Sequence, residues 1–312
     1  MTSDLLHSLR ENDTRVISNL ISAVENGDNS ISATLNDLFP HSRDSVRIGI
    51  TGPPGAGKST LIDKLIAEIR AEDRTVGVVS VDPTSPFTGG ALLGDRVRMN
   101  RHSLDPAVYV RSMGSRGQMG GLARMTHQVA DVIACTGKDF ILLETVGVGQ
   151  AETEIVQNVD IVIVVFMPES GDAIQVMKAG PVEVGDIFVI NKADLEGADR
   201  IQHLLQDYMN DFSGEREFMP QIILTEATAG EGIEELWEQC RLLMAELQQS
   251  GTIGKRRNDQ YLTRVRNAVR DELAGRFWNS DRELTLIKQI DGLRERQMSP
   301  YEAARRLVDE LE

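Results

Sequence analysis

Residues 52–60 read GPPGAGKST and match the spacing G-x-x-x-x-G-K-[ST] at Gly52, Gly57, Lys58 and Ser59. That spacing suits phosphate chemistry. Glycines let the backbone wrap its N–H groups round a polyphosphate, and a helix starting just after them points its positive end at the same oxygens. The candidate cradle is Gly52, Pro53, Pro54, Gly55, Ala56, Gly57, Lys58, Ser59 and Thr60. Lys58 would reach the β- and γ-phosphates, and the Ser59 hydroxyl would ligate Mg²⁺.

Two further stretches extend the pattern. FILLETVGVGQAE places Glu144 after four apolar residues and Gly147 three positions later. An acid at the end of a buried strand would complete a Mg²⁺ site, and a glycine there lets a backbone N–H approach the γ-phosphate. Glu at this position, rather than Asp, departs from most P-loop GTPases. VINKAD then ends another apolar run. Guanine presents N1–H and an exocyclic amine side by side, and the Asp194 carboxylate can accept both. Asn191 would hold the base on another edge, with the Lys192 stem along its face. Adenine offers no such pair of donors, so the three motifs together select GTP over ATP.

Buried elements must hold these residues. VRIGIT precedes the glycine run, and LIDKLIAEIR follows it at helical spacing. TVGVVSV, AVYVRSM, FILLET, IVIVVFM, DIFVIN and QIILTEA are further strand candidates. Several are apolar without alternation, as in strands buried on both faces of a parallel sheet. The alternation of strands with helices predicts an α/β, doubly wound, mostly parallel sheet over residues 45–250. Residues 1–44 read as a helical extension, with Val16, Ile17, Leu20, Ile21 and Val24 at helical spacing and Gly27 as a stop. QQSGTIGKRR reads as a linker. Residues 251–312 form a C-terminal helical region, with Leu262, Val265, Val269 and Leu273 on one stripe and a helix start at Ser299-Pro300.

Composition narrows the class. The chain has 312 residues, 41% hydrophobic, and a formal charge of -15. It is long enough for a large core, and its acidity argues against nucleic acid or an anionic membrane as partner. Cys135 and Cys240 are the only cysteines and stand in unrelated contexts, which suits a reducing compartment. The longest apolar run, IVIVVFM, is far too short to span a bilayer. The N-terminus carries no apolar signal core, so the expected location is cytoplasmic.

GPPGAGKST, VDPTSPFTGGALLGDRVRM, ETVGVGQAE, PESGDAIQVMKAG and NKAD, in this order, resemble the MeaB/ArgK family of GTPases. The likeness runs over nearly the whole chain. It implies a GTP-hydrolysing chaperone of an adenosylcobalamin-dependent acyl-CoA mutase, chiefly methylmalonyl-CoA mutase. It also implies GTP or GDP with Mg²⁺ as cofactors, and a homodimer to which the C-terminal helices contribute. By the same resemblance, Asp82 and Asp95 would join Ser59 and Glu144 around Mg²⁺ and the attacking water, with Lys58, Asp82 and Glu144 serving catalysis. Asp172, Gln175 and Lys178 would form a switch that moves on partner binding, and backbone near Ala227 would touch guanine O6. The sequence departs from the family pattern at Glu226, where a small Ser is usual, and at PES near Glu169.

Two other classes compete. A nickel-delivery GTPase would want a Cys/His cluster, but the two Cys and five His are nowhere paired at ligand spacing. A small-molecule kinase would normally use ATP, against which NKAD argues. Seven basic side chains against three acids over residues 255–276 read as a solvated helix face or a contact with an acidic partner or subunit.

Overall fold

Each of the seven apolar runs forms a strand in the computed structural model: β1 (Val46–Thr51), β2 (Val76–Asp82), β3 (Val108–Gly114), β4 (Phe140–Glu144), β5 (Ile161–Phe166), β6 (Ile187–Asn191) and β7 (Gln221–Thr225). The structure describes residues 2–82, 100–102, 104–114, 119–145, 159–168, 181–212, 218–278, 280–295 and 298–309. The strands make one sheet in the order β3-β2-β4-β1-β5-β6-β7, and every neighbouring pair is parallel. β4, β5 and β6 are buried at every position, which is why their sequences do not alternate. β1 lies between β4 and β5, where the winding changes direction, and ligands of such folds bind beyond the carboxyl ends of strands at that point.

The described helices are α1 (Thr2–Arg10), α2 (Thr14–Glu25), α3 (Ser32–Leu38), α4 (Lys58–Ala71), α5 (Met119–Ala134), the single turn α6 (Pro181–Val184), α7 (Ala198–Phe212), α8 (Ile233–Gln249), α9 (Thr252–Phe277), α10 (Ser280–Glu295) and α11 (Pro300–Asp309). α4 and α8 cover one face of the sheet, with Leu61, Leu65, Ile69 and Leu236 packed on Ile48, Val78, Leu142 and Ile163. α5 and α7 cover the other, and the three N-terminal helices share that core through Leu9, Ile17, Ile21 and Leu38. The core is mainly aliphatic. Among the described residues, edge-to-face aromatic pairs Phe140–Trp237 and Phe166–Phe188 stand on opposite faces. Both cysteines are buried and free, and burial pushes each thiol up to about 12.

Local signals explain the N-terminal helices. The Asp13 carboxylate accepts from the Arg15 and Val16 amides and caps α2. Gly27, with φ of +66°, ends it. α2 also covers the β3 edge of the sheet, where Arg111 donates to both Glu25 oxygens at 2.8 and 2.6 Å.

QQSGTIGKRR, expected as a linker, is helical except at Ser250 and Gly251. Gly251 turns the chain with φ of +75°, and Ser250 Oγ accepts from Thr252 N, so α9 starts at once. The reason the first turn is fixed lies far away in sequence. Arg257 grips both oxygens of Asp160 at 2.7 and 2.8 Å, and Arg256 grips both oxygens of Asp186 at 2.7 and 2.9 Å. The two acids stand just before β5 and β6 and also accept from Arg47 N and Val162 N. Bidentate pairs of this kind add geometric specificity as well as energy.

By contacts the chain divides into two units, Met1–Arg257 and Asn258–Glu312. The second is helical. Phe277 and Trp278 meet edge to face at the α9–α10 corner, where Arg282 covers the Phe277 ring and donates to its carbonyl. Ser299 Oγ accepts from Glu302 N at the start of α11. Leu262, Val265, Val269 and Leu273 lie along α9, and all four are 41–60% exposed. Among the described residues no helix is long and apolar enough to cross a membrane.

Candidate nucleotide site

β1 ends at Thr51 and the glycine run turns directly into α4, whose first residue is Lys58. The glycines are required by geometry. A Cβ on Gly52 would lie 2.1 Å from the Val165 carbonyl oxygen on β5, and one on Gly57 would lie 2.3 Å from Asn191 Nδ2. Gly52, Gly55 and Gly57 also hold φ of +145°, +79° and +87°, a region that favours glycine. Lys58 is buried, and its ammonium donates to the carbonyls of Gly52 at 2.8 Å and Pro53 at 3.0 Å. The cation therefore lies folded along the loop itself.

The next residue reaches across to β4. Ser59 Oγ donates to Glu144 Oε1 at 2.7 Å. Ser80 Oγ, on β2, donates to Glu144 Oε2 at the same distance. Ser59, Ser80 and Glu144 are all buried. Thr145 Oγ1 donates to Thr51 Oγ1 at 3.0 Å and its amide donates to the Ile50 carbonyl, tying β4 to β1 beside the loop. Ser80 was not among the candidates from sequence. Its only signal there is a lone hydroxyl in the otherwise aliphatic run VGVV before Val81.

NKAD begins at the carboxyl end of β6. Asn191 is buried and its amide is spent inside the protein. Nδ2 donates to the Ala56 carbonyl at 2.7 Å, while Oδ1 accepts from Thr225 Oγ1 and from Ala227 N, both at 3.1 Å. One side chain thus joins the glycine run, β6 and the loop after β7. The Ala227 amide expected beside guanine O6 is engaged by Asn191. Lys192 holds φ of +57°, rare for a residue with a side chain, and the following turn is closed by Ala193 N to the Thr225 carbonyl. Asp194 is exposed at the same end of the sheet.

The structure therefore brings Gly52 to Thr60, Glu144, Asn191, Lys192, Asp194 and Ala227 to the carboxyl ends of β1, β4, β6 and β7. Asp82 ends β2 at the same side of the sheet. Asp95, Gly147, Asp172, Gln175 and Lys178 lie outside the described residues. Among the described residues no three His, Cys, Asp or Glu side chains stand together as a metal-ligand set.

The fold is that of a P-loop GTPase: a parallel seven-stranded sheet, wound both ways from β1, with helices on both faces. A crystal structure of an LAO/AO transport system kinase superposes with a TM-score of 0.73 over 99% of this chain and 97% of its own, at 24% identity. That likeness concerns the fold. The chain belongs to the family described as methylmalonyl Co-A mutase-associated GTPase MeaB, whose model matches residues 16–282. It is 42% identical over 314 residues to a candidate GTPase of Pyrococcus abyssi, covering 100% of this chain and 97% of that one. It is 29% identical to the GTPase ArgK of Escherichia coli over 98% of this chain and 96% of that one. A mouse protein named as a mitochondrial methylmalonic aciduria type A homolog is 33% identical, over 74% of this chain and 57% of that one. The protein is thus a GTPase that binds a guanine nucleotide.

The contact between Gly57 and Asn191 sets an expected outcome. Gly57→Ala forces a left-handed alanine against an amide held by three hydrogen bonds. We expect a loss of about 2–3 kcal/mol, the sum of the left-handed strain and one broken hydrogen bond. Urea unfolding measures it, and an unchanged midpoint would show that Asn191 does not join the two loops.

Proposed function

We propose that this GTPase serves as a chaperone of an adenosylcobalamin-dependent acyl-CoA mutase, most closely methylmalonyl-CoA mutase, gating cofactor loading and protecting or reactivating the enzyme. The observation that carries the reading is the match of the mutase-associated family over residues 16–282. The site geometry supports the nucleotide half of it. Lys58 would exchange the Gly52 and Pro53 carbonyls for β- and γ-phosphate oxygens, a move of its flexible stem alone. The amides from Gly52 to Thr60 would follow the phosphates round. Asp194 would accept from guanine N1–H and the exocyclic amine, with Lys192 along the ring face and Asn191 stiffening the seam between base and phosphate segments.

The residues fit Mg²⁺. A hydroxyl and a carboxylate oxygen 2.7 Å apart, both buried, are the hard donors this ion prefers, and it keeps waters and phosphate oxygens for its other positions. Ser59, with Asp82, Asp95 and Glu144, would hold it. When bound, the ion neutralises charge developing on the β- and γ-oxygens. Hydrolysis adds water at the γ-phosphorus and breaks the bond to the bridging oxygen, releasing GDP and phosphate. Lys58 and the Gly147 amide would receive charge on the transferring group. Val148 follows the switch glycine and has no group to orient the water, so the protein alone should turn over slowly. Asp172, Gln175 and Lys178, spaced i, i+3 and i+6, would complete the site when the mutase binds. The reading is of a cytoplasmic protein working as a homodimer, with a second copy covering the exposed stripe Leu262, Val265, Val269 and Leu273. Neither nucleic acid nor a membrane is among its expected partners.

Base choice is testable. Asp194→Asn replaces an acceptor oxygen with a donor amide and should cost GTP roughly 2–4 kcal/mol of binding, as expected for a charge-assisted pair. Xanthine carries a carbonyl where guanine carries the amine, so the variant should prefer xanthosine triphosphate. Competition binding reads this, and a retained GTP preference would remove Asp194 from the base site.

The assembly can be weighed directly. Sedimentation of the full chain should give twice the monomer mass, and Val269→Glu with Leu273→Glu should return it to monomer. A monomeric wild type at tens of micromolar overturns the dimer.

The partner role has its own test. A methylmalonyl-CoA mutase should accelerate GTP hydrolysis from a basal rate below the ~1 s⁻¹ lower range of typical enzymes. Lys178→Ala should lose most of that acceleration while GTP affinity stays near wild type. Equal acceleration in both proteins would remove Lys178 from the switch. No acceleration by any cobalamin-dependent mutase would count against the chaperone reading itself.

A further inference from the structure

Ser80 belongs to no recognised motif, yet it makes the second of two hydroxyl contacts to the Glu144 carboxylate. We propose that Ser80 is a positioning residue of the metal centre: its hydroxyl fixes the Glu144 carboxylate so that the Ser59 lone pairs face the cation. The inference rests on reading Ser59 and Glu144 as part of a Mg²⁺ site.

Register places the pair. Ser80 on β2 is the parallel partner of Glu144 on β4, so their side chains leave the sheet on the same face. That face also carries Val76, Val78, Phe140 and Leu142, and α4 packs over it. Ser80 is fully buried and Glu144 is 4% exposed. A carboxylate taken out of water needs hydrogen-bond donors in place of its hydration. Here Ser59 supplies one oxygen with a donor and Ser80 the other, each at 2.7 Å, the length of an O–H to carboxylate bond.

The two contacts differ in what they do. The terminal torsion of a glutamate side chain is broad, so a carboxylate held at one oxygen can turn about that contact. Held at both, it has one orientation. A serine hydroxyl has one proton and two lone pairs. While the Ser59 proton is committed to Oε1, its lone pairs point away from Glu144. If the carboxylate turns, the Ser59 proton is released and can rotate toward the phosphate side, where a cation would meet a proton instead of a lone pair. Ser80 thus acts on the cation through two other residues.

Among the described residues no other hydroxyl of that sheet row can replace it. The next hydroxyl in the same row is Ser112 on β3, the register partner of Ser80. Its buried oxygen has no hydrogen-bond partner among the described residues. It lies two strand spacings from Glu144, about 9–10 Å at the usual sheet spacing, and cannot reach the carboxylate.

The test uses the full chain and a fluorescent GDP analogue, titrated with and without Mg²⁺, for wild type, Ser80→Ala, Ser80→Thr, Ser59→Ala and Glu144→Gln. Loss of an outer partner of a ligand typically weakens metal binding ~10–100-fold, so Ser80→Ala should raise the Mg²⁺ concentration for half-maximal tightening of GDP by about 10-fold or more, with Mg²⁺-free affinity within about 2-fold of wild type. Ser80→Thr keeps the hydroxyl and should restore most of the Mg²⁺ response, an outcome that loss of core packing alone does not give. Thermal unfolding without nucleotide identifies any variant that is simply unfolded, and Mg²⁺-free GDP binding provides the same check on the site. A wild-type Mg²⁺ response in Ser80→Ala, with a weakened one in Glu144→Gln, overturns the role of Ser80 alone. Equal weakening in Ser80→Ala and Ser80→Thr overturns it too, because the hydroxyl would then not matter. Wild-type responses in Ser59→Ala and Glu144→Gln overturn the metal-centre reading on which it rests.

Discussion

Glu144 ends a strand made otherwise of Phe140, Ile141, Leu142 and Leu143, and it is almost wholly out of solvent. A charge in such a place has lost its water, and only donors fixed within reach can replace it. Among the described residues two such donors come from other elements. Ser59 sits in the first turn of α4 and Ser80 on β2. The carboxylate therefore demands that the glycine loop, the helix after it and two strands all hold their register. Other contacts hold the same segments. The Thr51–Thr145 hydroxyl contact binds β1 to β4, and Lys58 lies back along the loop carbonyls.

A second polar group does for the base segment what Glu144 does for the phosphate segment. The Asn191 amide has one donor face on the Ala56 carbonyl and one acceptor face shared by Thr225 and Ala227. Its position explains why Gly57 cannot carry a side chain, and Lys192 next to it holds left-handed backbone. Strain of that kind costs of order 1–3 kcal/mol and persists only where neighbours over-determine the conformation. Here the glycine run, the end of β7 and the loop after it meet at one amide at the end of β6, which ties those segments together.

The strands and the three motifs were legible because each reports a local rule. A short run such as IVIVV, set among strand-helix alternation, suits a strand buried on both faces, and glycine spacing before Lys58 reports a loop that tolerates no Cβ. What was not legible depends on pairs far apart in the chain. Ser80 meets Glu144 only because β2 and β4 are neighbours in the sheet, which strand order alone decides. QQSGTIGKRR reads as a linker because its basic residues have no local partners, yet Arg256 and Arg257 find Asp186 and Asp160 some 70 and 97 residues away in sequence. Asn191 was assigned to the base by its motif, and nothing local indicated that both faces of its amide would be engaged within the protein.

A strand buried on both faces leaves polar groups a place only at its two ends, and this chain uses both. The five or six residues of β5 or β6 span about 17–20 Å at ~3.3 Å each. At the amino ends stand Asp160 and Asp186, each saturated by an arginine of α9 and by a strand amide. At the carboxyl ends stand the groups that meet the nucleotide segments: the Val165 carbonyl against Gly52 on β5, and Asn191 on β6. The two strands are thus rigid rods with a clamp at one end and the site at the other. The carboxylates at the clamp end are committed to fixed partners and hold structure. At the site end Glu144 lies buried between two hydroxyls and Asp194 is exposed. That asymmetry follows from parallel strands alone, since all their carboxyl ends must lie on one side.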